Sequence, residues 1–270
     1  MTDLAISREA RRLTDQEKEQ FHEWGYVKNL PVFDQSALPK LQDGFREMVA
    51  LLPSDAHMSR VNNWHKANRW VYDLCRTSTI LDYIEDVLGP NFFQWGAHCF
   101  AKFPGDKTEV PWHQDARYWP LEPAETVSVW LALFDTDEEN GAMRIVQGSH
   151  RWGNLQHHTV DGDQYVLSLE VEQDAIKPEE VVTMDLKAGE ISLHDNRLIH
   201  GSGPNKSDRI RAGQTMRFSP TEVKCDLSVW PTFESYLVRG VDEYRHNPVG
   251  KVPAGNGNPV RAAQGSWEFA

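Results

Sequence analysis

Apolar positions recur at helical spacing in the first third of the chain and at strand spacing after residue 90. Thr14-Asp15-Gln16-Glu17 has the form of a capping box and predicts a short helix through Phe21 and Trp24. Gly25 suits the left-handed position that ends such a helix, and Tyr26-Val27 reads as a short strand. A second helix is predicted from about Ser36 to Leu52. There Leu38, Leu41, Phe45, Met48 and Leu52 fall near one face, and Pro39 sits in the first turn. A third covers Ser78 to Leu88 on Ile80, Ile84, Val87 and Leu88, with Gly89-Pro90 as its stop.

Phe92 to Phe103 is aromatic and apolar, ending at the turn Pro104-Gly105-Asp106. Thr126 to Asp135 is β-rich, and Asn140-Gly141 predicts a hairpin leading into Met143, Arg144, Ile145 and Val146. Further strands are expected over Glu180–Met184, Gly189–His194 and Ala212–Ser219. Many short strands behind a helical opening predict a mainly β protein with peripheral helices, built as a jelly roll. A single domain over residues 1–270 is expected: a helical front over 13–89, a jelly-roll core over 90–220, and a covering segment over 221–270. Pro231, Pro248, Pro253 and Pro259 among glycines make that last segment irregular, either closing over a site or wrapping the sheet edge.

Composition narrows the partners. Hydrophobic residues at 40% and charged residues at 25% are ordinary globular usage. A net charge of -12 argues against nucleic acid or an anionic membrane as partner and leaves a small-molecule substrate. Cys75, Cys99 and Cys225 are too widely spaced for a thiolate metal site or a disulfide framework. With no basic-then-apolar leader and no apolar run of membrane-spanning length, a cytoplasmic location is the expectation.

The candidate chemistry lies in Trp112-His113-Gln114-Asp115 and, much later, Leu198-Ile199-His200-Gly201-Ser202. An imidazole and a carboxylate two residues apart leave a strand on the same face. A second imidazole from a distant strand completes a 2-His-1-carboxylate set, the ligand set of non-haem Fe(II) oxygenases. His-x-Asp alone occurs often by chance, but the glycine-rich surroundings of His200 leave room for a ligand, and Arg211 and Arg217 follow. A guanidinium near the metal suits a co-substrate with a distal carboxylate.

Three blocks in order are more specific than the triad. Val110-Pro111-Trp112-His113-Gln114-Asp115, Asn140-Gly141-Ala142-Met143 with Gly148-Ser149-His150-Arg151-Trp152-Gly153, and His200-Gly201-Ser202 through Asn205, Ser207 and Arg211 resemble the phytanoyl-CoA dioxygenase family. The likeness covers roughly residues 13 to 220. It implies a double-stranded β-helix, a cupin-like jelly roll, and Fe(II), 2-oxoglutarate and O2 as cofactor and co-substrates. It implies His113, Asp115 and His200 as metal ligands, Arg211 as the arginine for the 2-oxoglutarate C5 carboxylate, and Ser202 as its hydroxyl helper. Related halogenases carry a small residue in place of the carboxylate, so Asp115 favours hydroxylation.

Several neighbours have two readings. His98, Phe100 and Lys102 alternate along the strand before His113, so one face looks into the barrel. Lys102 then contacts co-substrate or substrate, or else snorkels from the strand end. Trp130 is assigned with Lys102 to the co-substrate pocket, and His98 to the substrate. Arg117 and Tyr118 are expected at the pocket mouth, Arg117 meeting a substrate anion or a surface carboxylate. Asn62 and His65, in a polar loop between helices, either touch substrate or are solvated. His194 reads as a core or supporting residue, and His157-His158 as a solvated loop. Lys102, Arg117, Arg144 and Arg217 together suggest a small polar or anionic substrate such as an organic acid, an aminoalkylphosphonate or a natural-product intermediate. An acyl-CoA hydroxylase and a non-catalytic cupin-like metal or ligand binder are the alternatives.

Overall fold

The computed structural model describes residues 4–54, 56–172, 174 and 176–259. Its helices are α1 (Asp15–Trp24), α2 (Leu38–Ala50), α3 (Arg69–Leu74) and α4 (Ser78–Leu88). α1 begins as its sequence demands: the Thr14 hydroxyl accepts from the Glu17 N–H, the Glu17 carboxylate accepts from the Thr14 N–H, and Gly25 closes the helix at φ 79°. α2 and α4 bury Leu41, Phe45 and Met48, and Ile80, Tyr83 and Ile84, on the outer face of the main sheet.

That sheet contains β1 (Tyr26–Pro31), β2 (Phe92–Lys102), β5 (Val127–Ala132), β10 (Glu190–Asp195), β12 (Arg211–Pro220) and β14 (Tyr236–Arg239), in the order β1-β10-β5-β12-β2-β14. A four-stranded sheet of β3 (Val110–His113), β6 (Arg144–Val146), β9 (Val181–Thr183) and β11 (His200–Ser202) faces it, ordered β3-β11-β6-β9. The strand pairings among the described residues of both sheets are antiparallel, so the fold is a jelly roll with helices on its outer side. Two ribbons complete it: β4 (Leu121–Glu122) with β13 (Lys224–Cys225), and β7 (His157–Thr159) with β8 (Leu169–Val171).

Three local expectations are corrected. Asn140-Gly141 does form a turn, with Gly141 at φ 80° and the Asn140 amide donating to Asp135 O, but no hairpin follows. β5 and β6 lie in different sheets, so the turn carries the chain between layers. The stretch from Asn62 to His65 is solvated only at its start: Asn62 is exposed, whereas Trp64 and His65 are fully buried, and α3 follows with Asn68 accepting from the Val71 N–H. His157-His158 opens β7, where the His157 Nε2 accepts from the Gln114 N–H at 3.2 Å. The covering segment does carry strands, and β14 extends the main sheet beside β2. Among the described residues no helix is long and apolar enough to cross a membrane.

Candidate active site

β3 and β11 pair so that His113 and His200 stand directly opposite one another, with ring centroids 4.2 Å apart. The strand ends at His113. Asp115 opens a tight turn over Asp115–Arg117, and its carboxylate turns back until Oδ1 is 3.6 Å from His113 Nε2. One donor atom from each of the three residues fits within 4.8 Å of the others, and all three residues are buried.

The protonation pattern prepares these atoms. His113 Nδ1 lies 2.8 Å from Pro111 O, and His200 Nδ1 lies 2.9 Å from Leu198 O. Only an N–H can pair with a carbonyl, so both Nδ1 atoms carry hydrogen and both Nε2 lone pairs are left for a metal. Burial, then His113, holds His200 well below the usual histidine range, which keeps the imidazole neutral. Burial alone would raise the Asp115 carboxyl. The Arg217 guanidinium and the two histidines outweigh it and hold the group well below the usual carboxylate range. The outer oxygen, Oδ2, accepts from the Ser128 hydroxyl at 3.3 Å and faces Arg217 Nε at 3.9 Å. Two imidazoles with Nδ1 tied to backbone carbonyls and one carboxylate, with space beside them, fit the facial set of a non-haem iron site.

A small cavity opens beside the triad, lined by Ser128, Trp130, Ser202, Arg211 and Thr215 among others. Arg211 starts β12 opposite Lys102 of β2. Its guanidinium lies 4.8 Å from the centre of the Trp130 ring, its Nε has no hydrogen-bond partner, and one terminal nitrogen reaches Phe100 O only at 3.5 Å. The Lys102 ammonium donates to Ser202 Oγ at 2.9 Å and to the Ser202 and Gly203 carbonyls. Lys102 is 1% exposed, so it does not snorkel. Burial and then Arg211 bring it down to about 7, and burial lowers Arg211 to about 10. Two buried basic groups that have no ion pair with a carboxylate among the described residues are costly alone and fit an anionic co-substrate end.

A larger cavity of about 510 Å³ lies on the other side of the triad. His98, Tyr118, Asn62 and Arg217 line it, as do Trp95, Trp119, Trp230, Arg60 and the loop from Val160 to Ser168. Of the second group, Trp119 belongs with Tyr118 to the stretch expected at the pocket mouth; the others were not singled out in the sequence. Trp95 escaped because β2 carries a bulge: Arg217 faces Gly96 and Phe218 faces Gln94, leaving Trp95 as the extra residue. His194 packs beside His200 at 4.9 Å between ring centroids, and burial lowers it to about 4.

Four expected positions do not line either cavity; one is Lys102, which sits behind Ser202 with its ammonium on the Ser202 hydroxyl and the Ser202 and Gly203 carbonyls. The turn that sends Asp115 inward sends Arg117 outward, and Arg117 is exposed. His65 is buried elsewhere, edge-on to Tyr236 at 5.2 Å. Arg144 sits over the Trp112 ring at 5.1 Å, so of the expected cluster of four cations only Arg217 lines a cavity.

The family model described as Phytanoyl-CoA dioxygenase (PhyH) matches residues 21–213. The chain belongs to the phytanoyl-CoA dioxygenase family. Among curated members, the probable alpha-ketoglutarate-dependent hypophosphite dioxygenase of Stutzerimonas stutzeri is 30% identical over 152 residues, covering 56% of this chain and 53% of that protein. The peroxisomal phytanoyl-CoA dioxygenase of Mus musculus is 28% identical over 207 residues, covering 74% of this chain and 60% of that protein. This chain therefore spans about half to three-fifths of the length of these relatives. Among solved structures, the non-heme monooxygenase ThoJ in its apo form superimposes with a TM-score of 0.73 at 26% identity, over 88% of this chain and 89% of that one. The family match ends two residues beyond Arg211, so Arg217 and Trp230 lie outside it.

Proposed function

We propose that this family member is an Fe(II)- and 2-oxoglutarate-dependent dioxygenase that hydroxylates a C–H bond of a small polar or anionic metabolite, releasing succinate and CO2. The observation that carries this reading is the adjacency of two sites: a buried His113–Asp115–His200 set with both Nδ1 atoms engaged, and beside it a cavity lined by the buried Arg211 and by Ser202, whose hydroxyl accepts from the buried Lys102. His113, Asp115 and His200 hold the iron; Arg211, Lys102 and Ser202 hold the far carboxylate of 2-oxoglutarate, with Trp130 as the wall behind Arg211. Iron with bound 2-oxoglutarate supplies the activation of O2 and the oxidising power.

The chain's own residues do the rest. The Pro111 and Leu198 carbonyls keep the hydrogen of each imidazole on Nδ1, turned away from the metal position. Ser128 holds the outer oxygen of Asp115, leaving the other turned towards His113. The aromatic walls of the large cavity exclude water from the bound substrate and limit unproductive oxidation. Asp115 fills the position that a halide would need, which supports hydroxylation. The name of the Stutzerimonas relative, a hypophosphite dioxygenase, accords with a small anion as substrate.

The test is succinate formation from 2-oxoglutarate when Fe(II) and O2 are supplied, with and without candidate metabolites. Wild type should form succinate, while Asp115→Ala and His200→Ala should form none and lose bound iron. No succinate from an iron-loaded wild type under any condition would overturn the proposal and favour a non-catalytic binder.

A further inference from the structure

Arg217 is a largely enclosed arginine, its side chain 11% exposed, whose one charged partner among the described residues is Asp115. It lies on β12 between Ser128 of β5 and Gly96 of β2. A Cβ on Gly96 would come within 3.1 Å of the Arg217 Cδ, so the glycine leaves the channel through which the side chain runs. The guanidinium carbon lies over the Trp119 ring, 4.9 Å from its centre, and 6.0 Å from that of Trp95, within cation–π range. Nε has no hydrogen-bond partner, and among the described residues the only ion pair Arg217 makes is with Asp115 at 3.9 Å, beyond hydrogen-bond length. Asp115 is committed to the metal in the proposed function, and Ser128 already donates to its outer oxygen.

Arg217 also lines both cavities, at the boundary between them. The large cavity beyond it is walled by Trp95, Trp119, Trp230, Phe100 and Tyr118. The cavity thus joins one guanidinium beside the triad to an aromatic wall, with Asn62, Arg60, Asp161 and Asp163 elsewhere in its lining. A guanidinium whose one partner is a carboxylate beyond hydrogen-bond length can take an anion of forked geometry, and the aromatic wall suits an apolar body.

We propose that the substrate is an amphiphilic acid that binds acid group inwards. A carboxylate, or a phosphonate of similar shape, sits on the Arg217 fork, and an aryl or branched alkyl body lies along Trp95, Trp119 and Trp230. This orientation places the carbons nearest the acid group beside the triad, so oxygenation falls at the α or β carbon. The assignment rests on the dioxygenase reading for its chemistry, and on Arg217 alone for its selectivity.

The two are separated by measuring binding apart from turnover. Hydrocinnamate and its primary amide are titrated into the iron-loaded, 2-oxoglutarate-saturated protein under anaerobic conditions, following tryptophan fluorescence and calorimetric heat. 2-Oxoglutarate in excess keeps the acid out of the Arg211 pocket. The acid should bind about tenfold or more tightly than the amide, the difference expected of a charge-assisted pair. Arg217→Gln should reduce that preference to about twofold or less, and Arg211→Gln should leave it intact. Equal binding of acid and amide, binding of neither at millimolar concentration, or a preference that survives Arg217→Gln would each overturn the proposal. A preference lost in Arg211→Gln and kept in Arg217→Gln would place the acid in the co-substrate pocket and overturn it too. Iron content measured on each variant keeps a failure of the metal reading distinct from a failure of this one.

Discussion

The Trp130 indole occupies the space that a side chain on Gly213 would need. A Cβ built on Gly213 would run into the six-membered ring, and the Arg211 guanidinium lies 4.8 Å from the centre of the Trp130 ring. Gly213→Ala should therefore displace the indole and, with it, the wall behind Arg211. The expected cost is about 1–3 kcal/mol of stability, typical of overpacking. Affinity for 2-oxoglutarate should fall while iron content stays at the wild-type level. Calorimetric titration of 2-oxoglutarate into the metal-loaded variant checks this; unchanged affinity in a variant with a lowered Tm would show that Trp130 does not set the Arg211 position.

Lys102 makes co-substrate binding depend on pH. Burial brings its ammonium down from 10.5 to about 7, so between those values the unfolded chain holds a proton that the folded protein lacks. Stability then rises with pH across that window, by at most about 1.4 kcal/mol per pH unit from this group, and the cost of the buried charge is fully present below pH 7. A carboxylate placed on Lys102 favours the charged form, so binding takes up a proton above pH 7. The 2-oxoglutarate Kd should rise by up to about tenfold per pH unit above 7, and Lys102→Met should flatten that slope. Calorimetry in buffers of different ionisation heat counts the protons directly.

Iron affinity should separate the roles of Asp115 and Ser128. Asp115→Asn removes a charged ligand and should weaken Fe(II) binding by more than about 100-fold. Ser128→Ala loses only the hydrogen bond to the outer carboxylate oxygen and should weaken it by about tenfold. Competition against a chelating dye measures both. Equal effects would mean that the hydroxyl does more than orient the carboxylate.

Arg60 joins two separate walls of the large cavity. One of its terminal nitrogens donates to Asp163 O at 3.2 Å and to Tyr165 O at 3.3 Å, tying the residue 58–60 turn to the loop between β7 and β8. Arg60→Ala should raise amide hydrogen exchange in residues 160–168 by severalfold while leaving the core strands unchanged. Its effect on Tm should be small, because the side chain is exposed. Unaltered exchange in that loop would show that the cover is held by β7 and β8 alone.

The chemistry was legible where it is carried by short-range rules. A capping box, a glycine at a helix end and a paired strand each act over a few residues, so α1, α4, β2 and β12 follow from their own sequences. The triad followed from spacing and family likeness together. What escaped depended on geometry between elements. A bulge reverses side-chain parity, which is how Trp95 joins His98 on the cavity side of β2. A tight turn separates neighbours, which is why Asp115 points in and Arg117 points out. Composition misled at Trp64-His65, where polar neighbours suggest solvent and α3 and Tyr236 instead enclose the pair. Two consecutive asparagines said nothing of Asn63 adopting φ 58°, although asparagine is the residue that tolerates it.

Phe100, Asp115 and Arg217 belong to both cavities, so the partition between co-substrate and substrate is only a few side chains thick. Compartments that share a movable wall cannot fill independently. A guest that draws Arg217 to itself changes the electrostatic load on Asp115 and, through it, the grip on whatever the neighbouring compartment holds. By reciprocity, filling that compartment must alter the welcome given to the guest by the same factor. The two chambers are therefore coupled through a partition of three residues, and that coupling needs no lid.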